Sequence, residues 1–194
     1  MAKTKDKILK DWLKFLDVDE VKFQLTCASF YLAAYELLIY SIVIKTKDFY
    51  TRDLSNGKLG LSKDYKKKVK ALFPQDIVVA SSLWLYELNA ITEAEVEKIK
   101  EYKNHRNDIA YELPKIISDS EYDVKIKYFK EVRDLYKKIQ LWWILEVELP
   151  TNDSLGSIDF EKIDTDELVS LIMIPMDYLL NIVSEEIKKR EDKL

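Results

Sequence analysis

Apolar residues recur along the chain three or four positions apart, and strict alternation of apolar and polar residues is nearly absent. The pattern predicts a series of helices. A first helix is expected over about residues 5–16, with Ile8, Leu9, Trp12, Leu13 and Leu16 on one side. A long central helix follows over about residues 20–50. The polar, glycine-bearing stretch RDLSNGKLGLS reads as a loop, after which Ser62 is placed to cap a short basic helix ending near residue 72. Beyond Phe73-Pro74 another helix carries Ile77, Ala80, Leu83, Trp84 and Leu88. Thr92 followed by Glu95 has the form of a capping box and opens the next helix, which should end where Pro114 disfavours continuation. A long aromatic-rich helix is predicted over about residues 122–149, a surface loop over 150–164, and a last helix from near residue 165, kinked at Pro175. With no internal repeat and no linker, the expected architecture is one all-α domain over residues 1–194, a bundle of antiparallel helices.

Composition agrees with this and narrows the chemistry. Three glycines, four prolines and 34% charged residues in 194 suit a helix-rich chain with a real core. A net charge of −4 argues against nucleic-acid binding through overall charge, though not against a local basic patch. The single Cys27 excludes a disulfide framework and suits a reducing cytoplasm. The charged, amphipathic start is unlike a secretory leader, so a cytoplasmic location is expected. With one cysteine and one histidine a zinc site would have to lean on carboxylates, and zinc is not expected. No phosphate-cradling glycine loop or Ser–His–Asp arrangement is present either, and neither metal nor cofactor is expected.

The segment FQLTCASFYLAAYELLIYSIVI, residues 23–44, is long enough to span a bilayer and carries a single charge, Glu36. A carboxylate at mid-segment, four Gln, Thr or Ser residues and three tyrosines argue instead for the buried central helix of a bundle.

The helix opened by Thr92 holds the chemistry of interest. Its stripe runs Val96, Ile99, Tyr102, Ile109 and Leu113, and Arg106 falls on it. A guanidinium there needs a carboxylate partner or a solvent-filled cleft. Glu36, in line with Leu25, Leu32, Ile39 and Val43, is the obvious partner. A structural Arg106–Glu36 pair in the core and a functional pocket both remain open. Asn107 and Tyr111 share a face, whereas Arg106 and Tyr111, five apart, diverge by roughly 140° on an ideal helix. His105 is expected to be a surface residue off the apolar stripe.

At these residues the chain resembles the HEPN-domain superfamily. Arg106-Asn107 followed by Ala110 and Tyr111 is similar to the HEPN arginine–asparagine motif, in which an arginine is followed after four to six residues by histidine. The resemblance covers about residues 20–149 and leaves 150–194 as a C-terminal helical extension. It implies a helical bundle that forms a homodimer with two motifs facing one another. Active members are metal-independent endoribonucleases, often toxins or phage-defence effectors. Their arginine contacts the phosphate and their histidine assists attack of the ribose 2′-hydroxyl. Carried over, Arg106 matches the arginine, Asn107 the polar residue behind it, and Tyr111 stands in place of the histidine. A tyrosine, with a reference pKa near 10, is a poor general base at neutral pH but still donates a hydrogen bond. His105 is the other residue that could serve. Lys66, Lys67 and Lys68, with Lys100 and Lys103, would track an RNA backbone if they converge on the motif; a solvated helix face is the alternative. RNA, a second copy and a neutralising protein are the partners this implies, and no membrane. The competing readings are a non-catalytic HEPN-like binding or regulatory module, and a helical interaction protein with a structural Arg106–Glu36 pair.

Overall fold

The computed structural model describes residues 2–53, 59–151 and 165–192. The chain folds as an all-α bundle around one long central helix, α2 (Val18–Ile39). Asp17 starts it, its carboxylate accepting from the Asp19 and Glu20 amides at 3.0 Å each. The helix continues through a π-helical turn, Tyr40–Ile44, into α3 (Lys45–Phe49), close to the predicted span. Inside that turn the Trp143 indole donates to the Ser41 carbonyl at 2.7 Å. A side-chain donor entering the backbone ladder is a recognised cause of such widening.

α2 is apolar nearly all round because it is covered nearly all round. It packs against α6 (Glu93–Tyr111), α8 (Lys127–Trp142) and α10 (Thr165–Glu191). Cys27, Tyr31, Ala34, Leu38 and Ile42 are fully buried along it. The run from Val18 to Phe49 is long and apolar enough to cross a membrane by length and composition, and half of its most apolar window is buried inside the protein.

Several local expectations change. The stretch read as a loop after residue 51 contains a short antiparallel ribbon, β1 (Thr51–Asp53) with β2 (Leu59–Leu61), pairing Thr51 with Leu61. The basic helix is α4 (Lys63–Lys68), followed by a 3₁₀ turn at Lys70–Leu72; Ser62 sits at its N-cap without a side-chain bond. α5 (Ile77–Glu87) is capped by Asp76, which accepts from Val78 and Val79. The capping box at Thr92 and Glu95 is present as predicted. α6 ends at Tyr111, ahead of Pro114 as expected, and Pro114 lies in the first turn of a separate short helix, α7 (Leu113–Ser118), where a missing N–H costs nothing. α8 passes through a second π-helical stretch, Trp143–Glu148, into α9 (Leu149–Thr151). The surface loop predicted over 150–164 lies almost wholly outside the described residues. α10 runs through Pro175 as one helix. Its C-terminal end is docked rather than free: Arg190 pairs with Glu20 at 2.5 Å and covers the Phe23 ring at 4.7 Å.

The largest departure concerns α1 (Ala2–Leu16). The apolar side predicted by its spacing is turned to solvent: Leu9, Trp12, Leu13 and Leu16 are all well exposed. The helix meets α7 and the turn beyond it through Lys7, Asp11 and Lys14 instead.

Candidate phosphate-binding edge on α6

α6 is locked to the bundle from both sides. Tyr31 of α2 donates to the Tyr102 carbonyl at 3.1 Å, Tyr102 donates to Glu131 of α8 at 2.9 Å, and Lys138 of α8 grips Glu95 at 2.7 Å. Burial of Glu95 opposes its ionisation, but the Lys138 and Thr92 bonds prevail and hold its carboxyl below the ordinary value.

The buried positions on this helix are Val96, Ile99, Tyr102, His105 and Ile109. The stripe therefore passes through His105, where the sequence placed Arg106. Successive steps of three each fall about 60° short of a full turn, so a stripe built from them drifts around the helix. By its last third the stripe has moved onto His105, and Arg106 stands at its edge.

His105 is thus an interior residue, only 2% exposed, and not the surface residue expected. Its Nε2 accepts the Lys125 backbone N–H at 3.1 Å. Its ring meets Tyr31 edge-on at 4.8 Å and Tyr128 at 5.3 Å. Burial, reinforced by the Lys125 charge, pushes its pKa down to about 4. The imidazole is neutral at physiological pH, and the ring nitrogen able to accept a proton already holds an amide. That geometry suits a structural histidine better than a base for an outside substrate.

Arg106 is reachable, its side chain 32% exposed. Nη2 donates to Glu36 Oε1 at 3.3 Å and Nη1 to Asn107 Oδ1 at 3.5 Å. The predicted Arg106–Glu36 partnership is present, but on the surface rather than in the core, since the Glu36 side chain is 58% exposed. A pair so wet contributes about 0–1 kcal/mol. Among the described residues two of the five donors of the guanidinium fork are engaged. A half-exposed fork beside an amide can receive a phosphate oxygen, with Glu36 as the competing anion.

Tyr111, on the last turn of α6, is 78% exposed. It does not share a pocket with Arg106; it lines a groove of about 700 Å³ with Ile8, Trp12 and Phe15 of α1 and Pro114 and Lys115 of α7. The lysines divide similarly. Lys100 is paired with Glu97 at 2.6 Å and Lys103 with Asp76, the α5 cap, so their charge is largely answered by neighbouring carboxylates. Lys66, Lys67 and Lys68 are exposed on α4; the last two border a separate cavity of about 470 Å³ with Tyr50 and Trp84. No described contact joins α4 to the Arg106 edge. Among the described residues no cluster of His, Cys, Asp or Glu could hold a metal ion.

The roles of Lys125 and of the α1 groove had no signal in the sequence. Both depend on which helix lies alongside, and spacing within one helix does not report that. No protein-family model, curated protein or solved structure matches the chain.

Proposed function

We propose that the chain is a HEPN-like protein of a toxin–antitoxin or phage-defence system whose Arg106–Asn107 edge grips an RNA phosphate. The observation that carries this reading is the placement of Arg106: held at one corner by Glu36, adjoining Asn107, and open to solvent. An arginine serving the core alone would be sealed against its carboxylate. In this reading the activity is metal-independent RNA cleavage at a low rate. Arg106 steadies the phosphate, and Tyr111, which shares no pocket with it in one copy, supplies at most a hydrogen bond from a second copy. Absence of a general base costs on the order of 10²–10⁴ in rate.

A second reading, a non-catalytic HEPN-like module that binds RNA without cutting it, is favoured by the interior position of His105. Inducible expression, followed by incubation of purified protein with RNA in a chelating buffer, separates the two. Slowed growth and RNA cleavage, both lost in Arg106→Ala, support the nuclease. Harmless expression with RNA bound but intact supports the module. A chain that neither binds nor cuts RNA removes both.

A further inference from the structure

α1 is docked inside out. Lys7, Asp11 and Lys14 follow one another at four and three positions and so share one face. That face holds the helix to the body. Lys7 reaches Asp119 at 2.8 Å. Lys14 reaches the Asp119 and Tyr122 carbonyls at 2.8 Å each and Asp123 at 2.7 Å. Asp11 accepts from the Ser120 amide and hydroxyl at 2.8 and 2.7 Å. Rolling the helix over to bury its apolar side would break every one of these bonds.

The opposite face carries Ile8, Leu9, Trp12, Leu13 and Leu16, between 51% and 67% exposed. Tyr111 adjoins it across the groove that Ile8 and Trp12 line. Amphipathic helices place their apolar stripe against a partner surface, and this one presents it outward. Contiguous exposed apolar surface rimmed by charge marks an interaction site.

We infer that this face is the contact between two copies of the chain, packed α1 against α1 about a two-fold axis near Trp12. Its extent fits: six large apolar residues exposing on the order of 100 Å² or more each approach the roughly 800 Å² per partner of a stable interface. Its charge pattern fits as well. Trp12 is the midpoint of the stripe, so an antiparallel pairing about it sets Ile8 against Leu16 of the second copy. The same pairing sets Lys5 toward the second copy's acidic segment around Asp17 and Asp19. An anionic lipid surface is the poorer match: Lys7 and Lys14 are held by Asp119 and Asp123, Lys10 pairs with Asp6, and the acidic segment around Asp17 and Asp19 flanks the stripe. The groove beside Tyr111 receives the edge of the second copy's stripe. This contact rests on the α1 stripe and the groove beside it, not on Arg106, and holds whether or not the Arg106 edge touches RNA.

The test is the solution mass of the full chain, by sedimentation or light scattering, at protein concentrations up to about 100 µM. We expect twice the 22.9 kDa chain mass. Leu13→Glu and Leu16→Glu, at positions more than 60% exposed and so dispensable for folding, should raise the dimer Kd at least about 30-fold with unchanged helix content. Trp12→Cys, near the axis in a chain whose one native cysteine is buried, should form an intermolecular disulfide on mild oxidation. A monomer across the range would overturn the inference, as would a dimer indifferent to both glutamates. So would a monomer that binds vesicles of anionic lipid through the same residues.

Discussion

The Nε2 of His105 accepts the backbone N–H of Lys125 at 3.1 Å, and that bond joins α6 to the segment leading into α8. It fixes the neutral tautomer with its proton on Nδ1 and occupies the atom a base would use. The one histidine of the chain thereby belongs to the fold.

This position makes a pH prediction. The folded pKa of about 4 lies below the ordinary 6.5, so the unfolded chain binds a proton that the folded chain rejects between those values. The His105 contribution is fully present above pH 6.5 and is lost as pH falls to about 4, a change on the order of 3 kcal/mol. Urea unfolding at stepped pH should show that slope. His105→Leu should flatten it while costing about 1–3 kcal/mol at pH 7, since the Lys125 amide then lacks an acceptor. A slope unchanged by the substitution would assign it to other groups.

Arg106→Ala should be nearly silent in stability. Its partner Glu36 is more than half exposed, and breaking such a pair costs about 0–1 kcal/mol. Thermal and urea unfolding of the variant should track the parent. A loss of about 3 kcal/mol or more would mean the guanidinium serves the core.

The all-α class, the central helix, the capping box and the Arg106–Glu36 partnership were legible in the sequence because each depends on spacing along one helix or on an unusual charge within an apolar run. What spacing misjudged was rotation. A stripe stepping by three drifts, so Arg106 was placed inward and His105 outward, and the structure has them reversed. The α1 stripe was found correctly, but its direction was not legible. Which side of an amphipathic helix faces the body depended here on the carbonyls of Asp119 and Tyr122, over a hundred residues away. The Tyr111 groove was hidden for the same reason.

Trp143 should be among the most sensitive core positions. It is 2% exposed, gives its N–H to the Ser41 carbonyl, and lies within 6.2 Å of Phe49, Trp84 and Trp142. Trp143→Phe should cost about 1–3 kcal/mol by leaving that carbonyl without its indole partner. Denaturant midpoints measure it, and an unaffected midpoint would mean the bond adds nothing to the widened turn.

Tyr111→His would install the group that HEPN nucleases carry at the rim of the α1 groove. With the side chain 78% exposed in one copy, the stability of the single-chain fold should change by less than about 0.5 kcal/mol. On the nuclease reading, RNA cleavage should rise by about 10²-fold or more and follow a titration near pH 6.5. Cleavage that stays absent in the folded variant would favour the binding module.

Binding of a short single-stranded RNA across a range of salt concentrations, compared between the parent chain and Arg106→Ala, decides whether the Arg106 edge grips a phosphate. The parent should bind with an affinity that falls as salt rises. The variant, equally folded, should bind at least about ten-fold more weakly, with a log–log salt slope smaller by about one. Equal affinity and equal slope in the two proteins would contradict such a grip.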